Sequence, residues 1–148
     1  MKLLRTRLSA TLGALALTLS AGAFTANQAW AAPEDCASWP SAANATNAYV
    51  GASESPGSST YLNLWFGTVN GKGAGWASIT GFSGDKVWFD VSHDGGHYWF
   101  QCGPFTLSGS GRVGKRTPAH YTSPDPDVVF RACGLAYGAI KERCTDWY

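Results

Sequence analysis

Three times between residues 64 and 100 the chain repeats one pattern, a bulky side chain followed by Trp and Phe: Leu64-Trp65-Phe66, Val87-Trp88-Phe89 and Tyr98-Trp99-Phe100. Such residues favour extended backbone, and around each triplet the hydrophobicity alternates with a period of two. Successive side chains of a strand point to opposite faces, so each Trp must point away from its Phe. One face then collects Leu62, Leu64, Phe66, Val87, Phe89, Val91, Phe100 and Cys102; it is apolar throughout and has to be buried. The other face collects Tyr61, Asn63, Trp65, Trp88, Asp90, Trp99 and Gln101. A further strand fits the same scheme, with Ala77 and Ile79 inward and Trp76, Ser78 and Thr80 on the second face.

The turn chemistry agrees. Strands are expected over residues 60–69, 76–82, 86–93 and 97–105, separated by Gly-bearing turns at 70–75, 83–85 and 94–96. Asn70-Gly71 and Asp94-Gly95 are pairs that accept the positive φ of tight hairpins. The Gly71–Gly75 run lacks the Gly-Lys-Ser/Thr ending of a phosphate loop and reads as a turn. A final hairpin is expected over residues 128–133 and 140–148, turning at Tyr137-Gly138. Between them, residues 108–127 read as a long irregular segment, Ser-Gly-rich at its start and carrying Pro118, Pro124 and Pro126 near its end. Residues 33–50 leave room for one short helix or none, and residues 53–59 read as a polar loop. The expected fold is all-β with little helix: an antiparallel β-sandwich or open barrel.

The N-terminus reads as a secretory signal peptide: basic Lys2, Arg5 and Arg7, an apolar run from Leu8 to about Phe24, then Ala29-Trp30-Ala31. Cleavage after Ala31 leaves a single secreted domain over residues 32–148; a cut after Ala23 is the alternative. Neither the apolar run nor the remainder has the length and composition of a membrane span. All four cysteines, Cys36, Cys102, Cys133 and Cys144, fall in the expected mature chain without the C-x-x-C spacing of a zinc or redox site. An even count in an exported chain implies two disulfides, for which Cys36–Cys102 and Cys133–Cys144 are the preferred pairing of three. Without Lys2, Arg5 and Arg7, eight of the eleven Lys and Arg remain against ten Asp and Glu. A near-neutral chain without a basic stripe is not expected to bind nucleic acid.

The functional expectation rests on the second face. Trp65, Trp76, Trp88 and Trp99 interleave there with Asp90, Gln101, Asn63, Ser78 and Thr80, on one side of one expected sheet. Flat rings stack on the C–H faces of sugars, while amides and carboxylates pair with hydroxyls. The candidate ligand-binding residues are therefore Trp65, Trp76, Trp88, Asp90, Trp99 and Gln101, for a non-enzymatic extracellular protein that binds polysaccharide, a cell-wall surface or another extracellular protein. The competing account makes the same indoles a second core, covered by the N-terminal segment and the last hairpin.

Ser92-His93-Asp94-Gly95-Gly96-His97-Tyr98-Trp99 resembles the Asp-box hairpin, Ser-x-Asp-x-Gly-x-Thr-Trp, of sialidase-type propellers. Ser92, Asp94, Gly96 and Trp99 match, and Tyr98 stands where Thr is usual. A single copy in a chain this short implies a structural hairpin, with Asp94 capping turn amides and Trp99 packed beneath, and no sialidase activity. The segments Phe130–Cys133 and Cys144–Tyr148 give the chain a looser likeness to small secreted, Trp-rich, disulfide-bonded bacterial proteins. That resemblance implies export and a stapled β-domain more than an activity.

Other chemistry finds less support. His93 and His97 flank Asp94, but the expected hairpin sends them apart, so no metal site or cofactor is expected. Ser92, His120 and Asp125 can be assembled into a triad only without any nucleophile-elbow context, and no catalytic residue is assigned. A secreted hydrolase using Asp90 lacks a visible second acid, since Glu54 and Glu142 lie in segments not tied to that face. The basic stretch Arg112–Arg116 offers a bait for trypsin-like proteases and hence an inhibitor as alternative, although Gly109, Gly111 and Gly114 make it loose.

Overall fold

The computed structural model describes residues 33–148, and the signal-peptide reading of residues 1–31 lies outside them. A 3-10 turn, Pro33–Cys36, precedes nine strands: β1 Thr46–Gly57, β2 Thr60–Val69, β3 Lys72–Gly81, β4 Lys86–Ser92, β5 Trp99–Thr106, β6 Val113–Arg116, β7 His120–Tyr121, β8 Val129–Leu135 and β9 Arg143–Cys144. Sheet A runs β1-β2-β3-β6, with β7 also paired to β3; sheet B runs β5-β4-β8-β9, and every pairing is antiparallel. The expected all-β sandwich with two disulfides is the observed fold.

The inner faces follow from the pleat. Leu62, Leu64, Phe66, Ala77 and Ile79 of sheet A meet Val87, Phe89, Val91, Phe130 and Ala132 of sheet B in one core. Phe89 stacks on Phe130 at 5.6 Å, and Phe66 meets Phe130 edge-on at 5.9 Å. Phe100 departs from the expectation: it is 39% exposed, lying at the rim against Trp39. Cys36–Cys102 fastens the 3-10 turn to β5, while Cys133–Cys144 joins residues directly opposite each other on β8 and β9. Beyond β9 the chain stays against β8, with Thr145 N–H donating to Ala132 O and the backbones of Phe130 and Tyr148 exchanging hydrogen bonds.

Two turns that look alike in sequence do different things. Asn70 (φ 51°) and Gly71 (φ 77°) close β2 onto β3 in two residues, with Val69 opposite Lys72. The Phe82–Asp85 turn instead carries the chain from sheet A across to sheet B. It is held by Asp85, whose carboxylate accepts from Tyr137 N–H (2.7 Å), Thr60 Oγ1–H (2.8 Å) and Phe82 N–H (2.9 Å). Burial pushes the Asp85 carboxyl upward, yet these three bonds outweigh it and leave it below its ordinary value.

This crossing corrects the single-face expectation. Trp65 and Trp76 lie on the outside of sheet A, and Trp88, Asp90, Trp99 and Gln101 lie on the outside of sheet B. The alternation within each strand was right, but the strands belong to two layers. Two segments expected to be irregular are also strands: residues 46–57 form the edge strand β1, and residues 113–116 form β6 against Ser78–Gly81.

Candidate functional site

Sheet A owes its outer surface to the side chains that the pleat turns away from the core. Across β2 and β3, Trp65 is the direct partner of Trp76 and Asn63 the partner of Ser78. The two indole planes are parallel to within 2°, with centroids 6.4 Å apart. Trp76 is 1% exposed, covered by Ala42 and Ala119 in a small second cluster with Val69 and Ala74. The N-terminal segment thus covers this indole, as the second-core account expects. Trp65 remains half-buried, and its Nε1–H donates to Ser78 Oγ at 2.8 Å. A ring pinned on one edge and stacked on a buried neighbour has little freedom left.

Trp65 helps to line an open cleft of about 880 Å³, bounded by Trp39 and Ala42 on one side and by β6 on the other. Asn63, Ser78 and Thr80 contribute polar groups to it. Ser53 donates to Asn63 Oδ1 at 2.7 Å, which orients the amide and leaves Nδ2 without a partner among the described residues. Arg116 stands on the far wall, next to Lys115, whose side chain turns to the other face of the sheet with Ile79. Arg116 sits opposite Ser78 in the β3–β6 ladder, and its Nη1 reaches Ala42 O at 3.4 Å. Lys115 Nζ donates to Thr106 O at 3.3 Å. Residues 114–116 therefore form a wall of this cleft, with 113–116 laid into sheet A, and do not make a projecting loop.

The outside of sheet B is built differently. Asp90 is fully buried there, and Arg131, its partner across β4 and β8, donates Nε–H to Asp90 Oδ2 at 2.8 Å. The guanidinium lies 4.6 Å from the Trp99 ring centre and 4.5 Å from that of Trp147, two rings tilted by 58°. The disulfide sulfur of Cys133 lies 3.5 Å from the same Asp90 oxygen. Asp90 Oδ1 is buried with no hydrogen-bond partner. Burial drives the Asp90 carboxyl up to about 6, against the opposing pull of Arg131. Trp88 is 3% exposed beside Cys133, whereas Trp99 is 36% exposed and Gln101 half-buried, its Nε2 donating to Gly103 O at 3.4 Å.

The six predicted residues are therefore not one surface. Trp65 lines the cleft and Trp76 backs it; Trp88 and Asp90 are interior to the layer around sheet B; Trp99 and Gln101 remain accessible on the opposite side of the sandwich. Sequence reasoning missed Trp39, Arg116 and Lys115 as cleft residues, and Arg131 and Trp147 as the company of Asp90 and Trp99. Arg131 alternates with Cys133 along its strand, but its register against Asp90, 41 residues away, has no local signal.

His120 and the Ser92–Trp99 turn have structural occupations. Ser92 Oγ donates to Asp94 Oδ1 (2.7 Å) and accepts from Gly96 N–H (2.8 Å), while Asp94 Oδ1 accepts from Tyr98 N–H (2.9 Å). These bonds, first that from Tyr98 and then that from Ser92, hold the Asp94 carboxyl below its ordinary value. The Ser92 hydroxyl is thus committed to the turn, and His120 Nδ1 is bonded to Tyr121 O at 2.8 Å. His93 approaches His120 at 5.9 Å between ring centres, and burial lowers the His120 pKa. Among the described residues, no three His, Cys, Asp or Glu side chains gather as metal ligands. No family model matches the chain, and neither a curated protein nor a solved structure matches it.

Proposed function

We propose that the protein is an exported, non-enzymatic binding protein whose cleft on sheet A takes a hydroxyl-rich polymer, a polysaccharide or a cell-wall surface. The observation that carries this reading is the half-buried Trp65. It is fixed by Ser78, held parallel to the buried Trp76 and lines an open cleft beside oriented polar groups. A rigid indole offers stacking area at little ordering cost, and Asn63 Nδ2, the Ser78 hydroxyl and Thr80 supply hydrogen bonds to sugar hydroxyls around it. Two disulfides and the absence, among the described residues, of a helix long and apolar enough to cross a membrane are compatible with work outside the cell.

Pull-down on insoluble polysaccharides tests the reading. Trp65→Ala is expected to weaken binding by about 2 kcal/mol, roughly thirtyfold in Kd, with the circular dichroism spectrum unchanged. Trp99→Ala is the comparison, because Trp99 is the accessible indole of the opposite sheet. Loss of binding on Trp99→Ala with none on Trp65→Ala moves the site to sheet B, and wild-type protein that retains no glycan defeats the proposal. Trp88→Ala does not serve, since that indole is interior and its removal tests the fold.

A further inference from the structure

We infer that the polymer seated in the sheet A cleft is acidic, carrying carboxylate or phosphate groups on a polyhydroxylated backbone; this rests on the binding role proposed above. The charged side chain on the Trp65 face of the cleft is Arg116, and no Asp or Glu lines it, in a chain whose described residues carry more acidic than basic side chains. The bias has a structural source. Strand β6 lies along β3 so that Arg116 faces Ser78 and Gly114 faces Thr80, which brings the Arg116 guanidinium to the wall facing Trp65, whereas Lys115 pairs with Ile79 and turns to the other face, its Nζ donating to Thr106 O. A second cation, Arg112, lies 4.9 Å over the ring of Tyr61 at the end of the same face.

None of these cations is consumed by a carboxylate. Arg131–Asp90, on the other sheet, is the ion pair formed among the described residues. Arg116 meets a single backbone carbonyl, at 3.4 Å, and its side chain is exposed. It therefore keeps donors to spare. Gly114, two residues before it on the same face, has no side chain and leaves the floor beside Thr80 open. A sugar ring stacked on Trp65 would place its substituents toward that wall, where a carboxylate or phosphate meets the guanidinium fork. A neutral glycan would leave the guanidinium facing water and gain nothing from its charge.

Polygalacturonate and its fully methyl-esterified form share a backbone and differ in charge, so they separate the two layers of the argument. Poly(glycerol phosphate) supplies the phosphate source. By affinity electrophoresis or calorimetry, the wild type is expected to bind the acidic polymer about tenfold more tightly than the ester. That margin should fall between about 50 mM and about 500 mM NaCl. An Arg116→Gln variant should bring the ratio of the two affinities close to one. Tighter binding of poly(glycerol phosphate) than of polygalacturonate names phosphate as the anion, and the reverse names carboxylate. Equal wild-type affinity for acid and ester overturns the inference while leaving the binding role intact, as does an Arg116→Gln variant that keeps the preference. Binding to none of the three polymers overturns both. Binding of the acid that is indifferent to Trp65→Ala but lost in Arg116→Gln leaves the charge assignment standing and removes the indole from the site.

Discussion

Asp90 shows how one buried carboxyl sets a pH dependence. Its folded pKa of about 6 stands above the ordinary 3.8, because burial costs the ionised form more than Arg131 returns. A raised carboxyl contributes stability that is fully present below pH 3.8 and is lost as the pH climbs through about 6. Urea denaturation of the wild type and of Asp90→Asn should therefore diverge with pH. Between about pH 4 and pH 8 the wild type is expected to lose up to roughly 3 kcal/mol relative to the variant. Taking the difference between the two proteins removes the opposite slopes of Asp85 and Asp94, whose lowered carboxyls lose stability as the pH falls. It also removes that of His120, whose lowered pKa acts in the same acid direction. A pH-independent difference would place Asp90 in the ordinary carboxylate range and its charge in a more polar setting than the buried pair implies.

At the scale of the elements, the hairpins carry the register. Gly71 sits at φ 77° with open space where a Cβ would be, so Gly71→Ala is expected to cost about 1 kcal/mol by backbone strain alone, read as a shift in the denaturation midpoint with an unchanged slope. That turn, the strand it closes and the inward set from Leu62 to Val91 were all legible, because alternation and Asn-Gly are local signals. The assignment of strands to layers was not. Asn70-Gly71 and Ser83-Gly84-Asp85 both read as turns, and what separates them is the buried Asp85 with partners at residues 60 and 137, far off in sequence. The edge strand β1 was hidden for a related reason: its Gly51, Ser53, Ser55 and Pro56 have weak strand propensity, and pairing with β2 overrides it. Likewise Arg112–Arg116 looked like a free loop because its glycines are flexible until β3 supplies the partner. Of the candidate site, Trp65 with Asn63, Ser78 and Thr80 was legible as one outward face, whereas Trp39, Lys115 and Arg116 are brought to it by long-range contacts.

For the whole molecule, the two disulfides differ in reach. Cys36–Cys102 spans 66 residues and ties the N-terminal segment to sheet B, whereas Cys133–Cys144 spans 11 within one hairpin. On loop entropy, replacing both cysteines of the first pair by Ala should cost about 4 kcal/mol and of the second about 3 kcal/mol. Chemical denaturation under oxidising conditions checks the order; equal losses, or a larger loss from the short loop, would show that native-state effects dominate. The pairing itself was legible in outline, because an even cysteine count and the closeness of Cys133 to Cys144 narrow the choice. The open flank of sheet A carries a last consequence. Strand β1 is broken by three register shifts, bends through Asn47 at φ 51° and ends near Pro56. A row of amides so interrupted gives a neighbouring copy no straight ladder to extend. Concentrated solutions should therefore resist fibrous self-association through this border, whatever ligand occupies the cleft around the corner.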